Sequence, residues 1–226
     1  MTRGILIAGN ESAISRALEA ETVNKVEQFA AALIPNRLSG TKLSAADVKA
    51  RIPLDWNPSS PISAKTLVIA AENRLERIDE AILICSPPSI RSSAAELSFP
   101  DVEIVINDHI KGWFFLVREL AALFTARSRG TLAFVFPDPA IPGKDDKPEV
   151  LGPSALASFR AFTNGLLAAA HLEPYLTVAF SASDAGNEAA FASFILKKID
   201  EADRRSCGKL FKFGKFDLLK KRFKDY

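Results

Sequence analysis

The sequence predicts an α/β fold in which a doubly wound parallel sheet is flanked by helices on both faces. Three observations predict it. Short apolar runs bounded by turn residues alternate with helix-length patterns, the mark of βαβ units and a mainly parallel sheet. The chain opens on one such unit: Gly4-Ile-Leu-Ile-Ala-Gly-Asn-Glu-Ser-Ala-Ile-Ser-Arg-Ala-Leu18 reads as a buried strand, a tight turn and a helix. Its 226 residues, 48% hydrophobic and 25% charged, can bury a full core. No internal repeat or domain boundary interrupts the pattern. We expect one domain over 1–226, with a basic C-terminal tail from about residue 209.

The strands are expected at Gly4–Ala8, Val26–Ala31, Ile52–Asp55, Ala81–Cys85, Thr131–Phe136 and Leu176–Phe180, with a short last strand over Lys209–Phe213. Each is a run of apolar residues closed by Gly, Pro, Asn, Asp or Ser. Helices fit between them at Ser12–Glu21, Ala64–Arg77, Ile110–Arg127, Ser154–His171 and Glu188–Asp203. Pro35–Asp47, Pro58–Ser63, Pro87–Pro100 and Pro137–Pro153 read as loops. The last carries five prolines and an Asp-Asp pair, and a loop of that length is usually functional or mobile.

Composition excludes several classes. A net charge of +2 gives no global case for nucleic acid or membrane binding. Two cysteines, Cys85 and Cys207, make neither a disulfide framework nor a metal spacing, and only His109 and His171 are available as histidines. No metal site is expected. The apolar run before Gly9 is too short for a signal peptide or a spanning helix, so a reduced, cytoplasmic protein is the expectation.

Two helices point to a partner. Between Ser154 and Ala170 the only charged residue is Arg160. A helix without a polar face must be covered on all sides. Ile110–Arg127 is rich in large apolar groups (Trp113, Phe114, Phe115, Leu116, Leu120, Leu123, Phe124) and carries only Lys111, Arg118, Glu119 and Arg127 as charges. Both could be buried in a monomer core. The favoured reading is a subunit interface through 110–127 and 154–171, in a homo-oligomer or a hetero-oligomer.

Several segments, in order, resemble the short-chain dehydrogenase/reductases over nearly the whole chain, as a divergent member with the Rossmann-like fold of that family. Where the family opens with Thr-Gly-x-x-x-Gly-Ile-Gly, this chain has Ala8-Gly-Asn-Glu-Ser-Ala-Ile-Ser15. Leu54-Asp55-Trp56 matches the Asp-Val after the third strand, and Ile82-Leu-Ile-Cys-Ser-Pro87 matches Leu-Val-Asn-Asn-Ala-Gly. His109-Ile-Lys-Gly-Trp-Phe114 resembles Asn-x-x-Gly-x-Phe. Leu156-Ala-Ser-Phe-Arg160, followed by Asn164-Gly165-Leu166, resembles the helix that carries Tyr-x-x-x-Lys. Gly208 and Gly214 bracket a last strand like the family's.

The resemblance implies an NAD(P)-dependent oxidoreductase site, and the same register removes it. The family's tyrosine, lysine, serine and asparagine correspond to Leu156, Arg160, Phe136 (or Pro137, one position on) and His109. Leucine and phenylalanine have no proton to move. A positioned general acid contributes about 10²–10⁴-fold in rate, so no catalytic residue is assigned. Independently of any register, neither tyrosine, Tyr175 or Tyr226, has a lysine four positions on. His109 titrates near neutrality when unperturbed, which leaves a rebuilt site as the alternative.

The residues the resemblance places at a dinucleotide are Gly9, Asn10, Ile14, Asp55, Trp56 and Ser86. Gly9 keeps the turn. Ala13 puts a methyl where backbone would meet phosphate, and Ser15 replaces the glycine that permits close helix packing. Glu11 adds a negative charge, worth about 1 kcal/mol of repulsion at ~4 Å in water. NAD(P) is therefore expected to bind weakly and to be dispensable. Asp55 could accept from adenine or simply shape the Asn57-Pro58 turn. The tail from Lys209 to Tyr226 has seven basic and two acidic residues interleaved with aromatics. That pattern fits an anionic partner, but also a last strand and short helix with a solvated lysine face.

Overall fold

The computed structural model describes residues 3–34, 50–138, 148–183 and 187–214. Seven strands form one parallel sheet: β1 (Ile5–Asn10), β2 (Phe29–Ile34), β3 (Arg51–Pro53), β4 (Glu80–Ile84), β5 (Thr131–Pro137), β6 (Leu176–Ala182) and β7 (Leu210–Phe213). Their order is β3-β2-β1-β4-β5-β6-β7. Every pairing is parallel, with Gly9 opposite Leu33 on one side and Ile84 on the other. The expected doubly wound sheet is what forms.

Side-chain alternation divides the core into two layers. Leu6, Ala8, Leu83, Phe134, Phe136 and Ala179 face α2 (Pro61–Leu75), α4 (Gly112–Arg127) and α5 (Leu151–Ala169). Ile5, Ile7, Ile82, Val135 and Phe180 face α1 (Ala13–Val23) and α6 (Glu188–Asp200). Helices therefore cover both faces, and the central strands are continuous apolar runs because water reaches neither side of them. Charge ties the layers at the rim: Arg3, just before β1, grips Glu80 at the start of β4 and Asp200 at the end of α6.

Several boundaries move, each for a local reason. The second strand starts at Phe29, three residues later than expected. The amides of Lys25 and Val26 still bond back to Thr22 O, so the chain cannot join the ladder sooner. The third strand ends at Pro53, leaving Asp55 beyond it. Helix α2 begins at Pro61, because the Ser60 hydroxyl accepts from Ser63 N and proline suits the first helical position.

The largest correction concerns Pro87–Pro100, expected to be a loop. Its end already belongs to α3 (Phe99–Ile106), capped by Ser98, whose hydroxyl accepts from Asp101 N. Pro100 lies in the first turn, where its missing N–H costs nothing. A five-residue π turn, Asn107–Lys111, then joins α3 to α4. Helix α5 starts three residues early, at Leu151, and takes in Gly152 and Pro153. The expected loops at 35–47 and 139–147, and the tail beyond Gly214, lie outside the described residues. Among the described residues no helix is long and apolar enough to cross a membrane.

Candidate functional site

A doubly wound sheet binds ligands where neighbouring connections leave in opposite directions, at the carboxyl ends of its strands. Here that point lies between β1 and β4. Gly9 sits on it with φ +147°. A Cβ at this position would stand 2.1 Å from Ile84 O, so only glycine lets β1 and β4 pair to their ends. Asn10 follows, buried, its side-chain oxygen accepting from Ser86 N at 3.1 Å while its amide nitrogen has no partner. This bond spans the crevice.

The head of α1 closes on itself. Ser15 N donates to the Ser12 hydroxyl at 3.3 Å and Ser12 N donates to the Ser15 hydroxyl at 2.8 Å, a reciprocal capping box. The Glu11 carboxylate lies beside it, 2.8 Å from an Arg16 guanidinium nitrogen. Ala13 is exposed at the first helical position, and Ile14 packs into the α1–α6 core. At the helix end that would draw an anion, one amide, that of Ser15, is thus taken by the Ser12 hydroxyl, and a carboxylate stands beside it.

On the β3 side, Asp55 is exposed and Trp56 is half-buried. The Trp56 ring leans on Trp113 of α4 with centroids 5.5 Å apart. Trp113 in turn meets Phe159 of α5 at 4.9 Å, and Phe159 meets Phe134 and Phe136 of β5 at 5.8 and 6.0 Å. One aromatic chain runs from the end of β3 to the end of β5. Cys85 lies under it, fully buried, and burial pushes its thiol well above the ordinary range. It packs as a small hydrophobe.

Of the four positions that the resemblance matches to the family's catalytic set, Phe136 and Leu156 share one core and Arg160 lies against Phe136. Phe136 is 1% exposed and Leu156 is 8% exposed, both in the same apolar core. Arg160 lays its guanidinium 5.3 Å from the Phe136 ring centroid and reaches Asp138 at 3.5 Å. His109 lies in the π turn, 6% exposed, with Nδ1 unpartnered. Burial alone lowers its pKa to about 4. Asp108, beside it on the same turn, is buried as well. A π turn closes over one residue more than an α-helical turn, which shifts the faces its side chains take. Sequence reasoning missed Phe159 as the hub of this cluster and Asp138 as the partner of Arg160. The three-residue spacing from Leu156 to Phe159 carried the first signal; the second depended on how β5 meets α5. Among the described residues no group of three His, Cys, Asp or Glu could hold a metal.

The outer faces of α4 and α5 form a second candidate surface. Phe114 is 48% exposed and stacks on Phe162 at 4.4 Å. Beside them α5 exposes Ala157, Ala161, Gly165 and Ala168, with Arg118 and Glu119 of α4 paired to each other. So each helix is covered on one side by the sheet and leaves the other open.

No family sequence model matches the chain, and no curated protein matches it by sequence. Its fold does match solved structures. A short chain dehydrogenase from Bacillus anthracis superposes with a TM-score of 0.72 at 14% identity, over 94% of this chain and 95% of that one. A short-chain dehydrogenase/reductase from Serratia marcescens superposes at 0.70 and 10% identity, over 94% and 96%. At these identities what is shared is the fold, and this chain has the short-chain dehydrogenase/reductase fold along nearly its full length.

Proposed function

We propose that this chain is a divergent, non-catalytic protein on a short-chain dehydrogenase/reductase scaffold, acting through contact with another subunit. One observation carries the reading: Leu156, which the resemblance matches to the proton donor, is buried in the same apolar core as Phe136 and Phe159. Proton transfer needs an ionisable group within hydrogen-bond reach of the reacting oxygen. Among the matched positions, the side chain whose ordinary titration lies near neutrality is His109. Held neutral well below pH 6, it is poorly matched to a proton acceptor's task at neutral pH.

The turn after β1 does not fit a pyrophosphate. Ser12 and Ser15 cap each other's amides, the Glu11 carboxylate stands beside them, and Asn10 bonds across the crevice to Ser86. No step is assigned to a nicotinamide cofactor. The partner reading rests on the open faces of α4 and α5, where Phe114 and Phe162 form an apolar ridge beside small residues. A homo-oligomer fits best, because a two-fold contact needs a face carrying both ridge and hollow. Phe114→Glu is expected to shift the mass measured by light scattering towards the monomer.

Titration with NADH and NADPH by calorimetry tests the main claim. We expect no heat of binding up to millimolar cofactor and no turnover of alcohols, ketones or enoyl compounds. Saturable quenching of Trp56 or Trp113 fluorescence by NADH, with turnover, would establish the second reading, an oxidoreductase with a rebuilt site. That reading is favoured by His109, buried with an unpartnered Nδ1.

A further inference from the structure

Among the described residues, the segment that leaves β4 packs on a small apolar cluster separate from both sheet cores, with three buried members: Val105 of α3 with Leu151 and Ala155 of α5. Ile90, Leu97, Val102 and Ile110 pack around them, half-buried. A carboxylate ties the segment to the head of α5. Glu149 accepts from the Ser89 hydroxyl at 3.1 Å and from Ile90 N at 3.3 Å, and an isolated bridge joins it to Arg91. The head of α5 passes so close that a Cβ on Gly152 would meet Glu149 Oε1 at 2.6 Å and Pro88 O at 2.8 Å. Elements with few buried apolar contacts open locally long before the whole domain does.

His109 lies at the base of this seam, one residue before Ile110 and four after Val105. It is buried, with no partner at Nδ1. The charged groups on the elements around it are Asp108 on its own turn, Asp101 and Glu103 on α3, Lys111 at the turn's end, and Glu149 and Arg160 on the α5 side. Despite the carboxylates among them, burial lowers the affinity of His109 for a proton. An open seam would let water reach the ring and restore that affinity.

We propose that Pro87–Ile106 is a strap over the head of α5, latched by Glu149, and that a proton taken up by His109 opens it. The strap leaves the sheet beside Ser86, whose amide is held by Asn10, so its opening loosens the crevice between β1 and β4. The proposal does not depend on whether the crevice binds a cofactor.

The chain has only two histidines, buried His109 and exposed His171, which makes the test internal. Carbethoxylation with diethyl pyrocarbonate at pH 7, followed by mass spectrometry, should modify His171 at once and His109 slowly. Glu149→Ala should speed His109 at least ~10-fold while leaving His171 unchanged. Equal His109 rates in the variant and the unaltered chain would overturn the latch. If circular dichroism shows that Glu149→Ala fails to fold, amide exchange at Ile90 and Val105 in the unaltered chain decides. After correction for intrinsic rates, exchange should accelerate by roughly 50-fold between pH 7.5 and 4.5, and His109→Gln should abolish that dependence. Exchange that does not change with pH, or that keeps its pH dependence in His109→Gln, would overturn the switch.

Discussion

The two halves of the crevice have diverged differently. The β1–α1 half keeps its backbone geometry, with Gly9 in a conformation that excludes a side chain. The β5–α5 half is packed with hydrocarbon, Phe136, Leu156 and Phe159 lying in one apolar core. The contrast shows what the fold itself enforces. Gly9 would be retained without any cofactor, because a Cβ there collides with Ile84 O. Ala13 and Ser15 stand where the resemblance would put two further glycines. Ser15 completes a capping box that steadies α1 without a ligand. Gly9 answers to the needs of the sheet, and Ser15 to those of the helix.

The comparison can be broken at several strengths. Gly9→Val should have the largest effect, a loss of more than about 4 kcal/mol that abolishes a cooperative urea transition, since strain and a backbone clash combine. A stable Gly9→Val would mean that the sheet does not require the glycine. Phe159→Ala should cost about 3–5 kcal/mol in the same measurement, as it removes the hub joining Trp113, Phe134 and Phe136. A smaller loss would show that the reaction half is loosely filled and has room for a substrate.

The next effect depends on pH. His109 has a depressed pKa in the folded chain, about 4 against an ordinary 6.5. The unfolded chain therefore binds the proton first. The stability it protects is complete above about pH 6.5 and is lost as pH falls towards 4. The loss is about 3 kcal/mol, and urea midpoints for the unaltered chain and His109→Gln should diverge over that window. Parallel curves would place His109 in water.

Leu156→Tyr with Arg160→Lys restores the family's pair at a cost of about 1–3 kcal/mol from overpacking. It should gain no turnover while the phosphate turn stays closed. Activity in that variant would show that only the reaction half had been lost. The smallest effect is at the turn: Glu11→Gln with Ala13→Gly should improve dinucleotide affinity by only about fivefold, since one repelling charge is worth about 1 kcal/mol. Calorimetry reads it directly.

Much of this was legible in the sequence. Seven strands in order, the turn at Gly9 and the missing Tyr-x-x-x-Lys followed from local runs and spacing, because a buried strand and a tight turn each leave a mark within a few residues. Helix α3 did not, since Pro100 in its first turn looks like a loop until Ser98 is seen to cap it. Nor did the π turn, which leaves no mark in residue type and buries Asp108 and His109 together.

What the sequence determined by itself is the parallel α/β scaffold and the absence of any Tyr-x-x-x-Lys, both of which are properties of residue type and order. The tertiary structure alone decided what surrounds Leu156 and Phe136. The aromatic chain from Trp56 to Phe136 joins four elements far apart in the sequence, as does the meeting of Arg160 with Asp138. The tie between Asn10 and Ser86 crosses two strands that are neighbours only because the sheet reverses its strand order between them. Contacts of that kind arise from packing, and no local pattern encodes them.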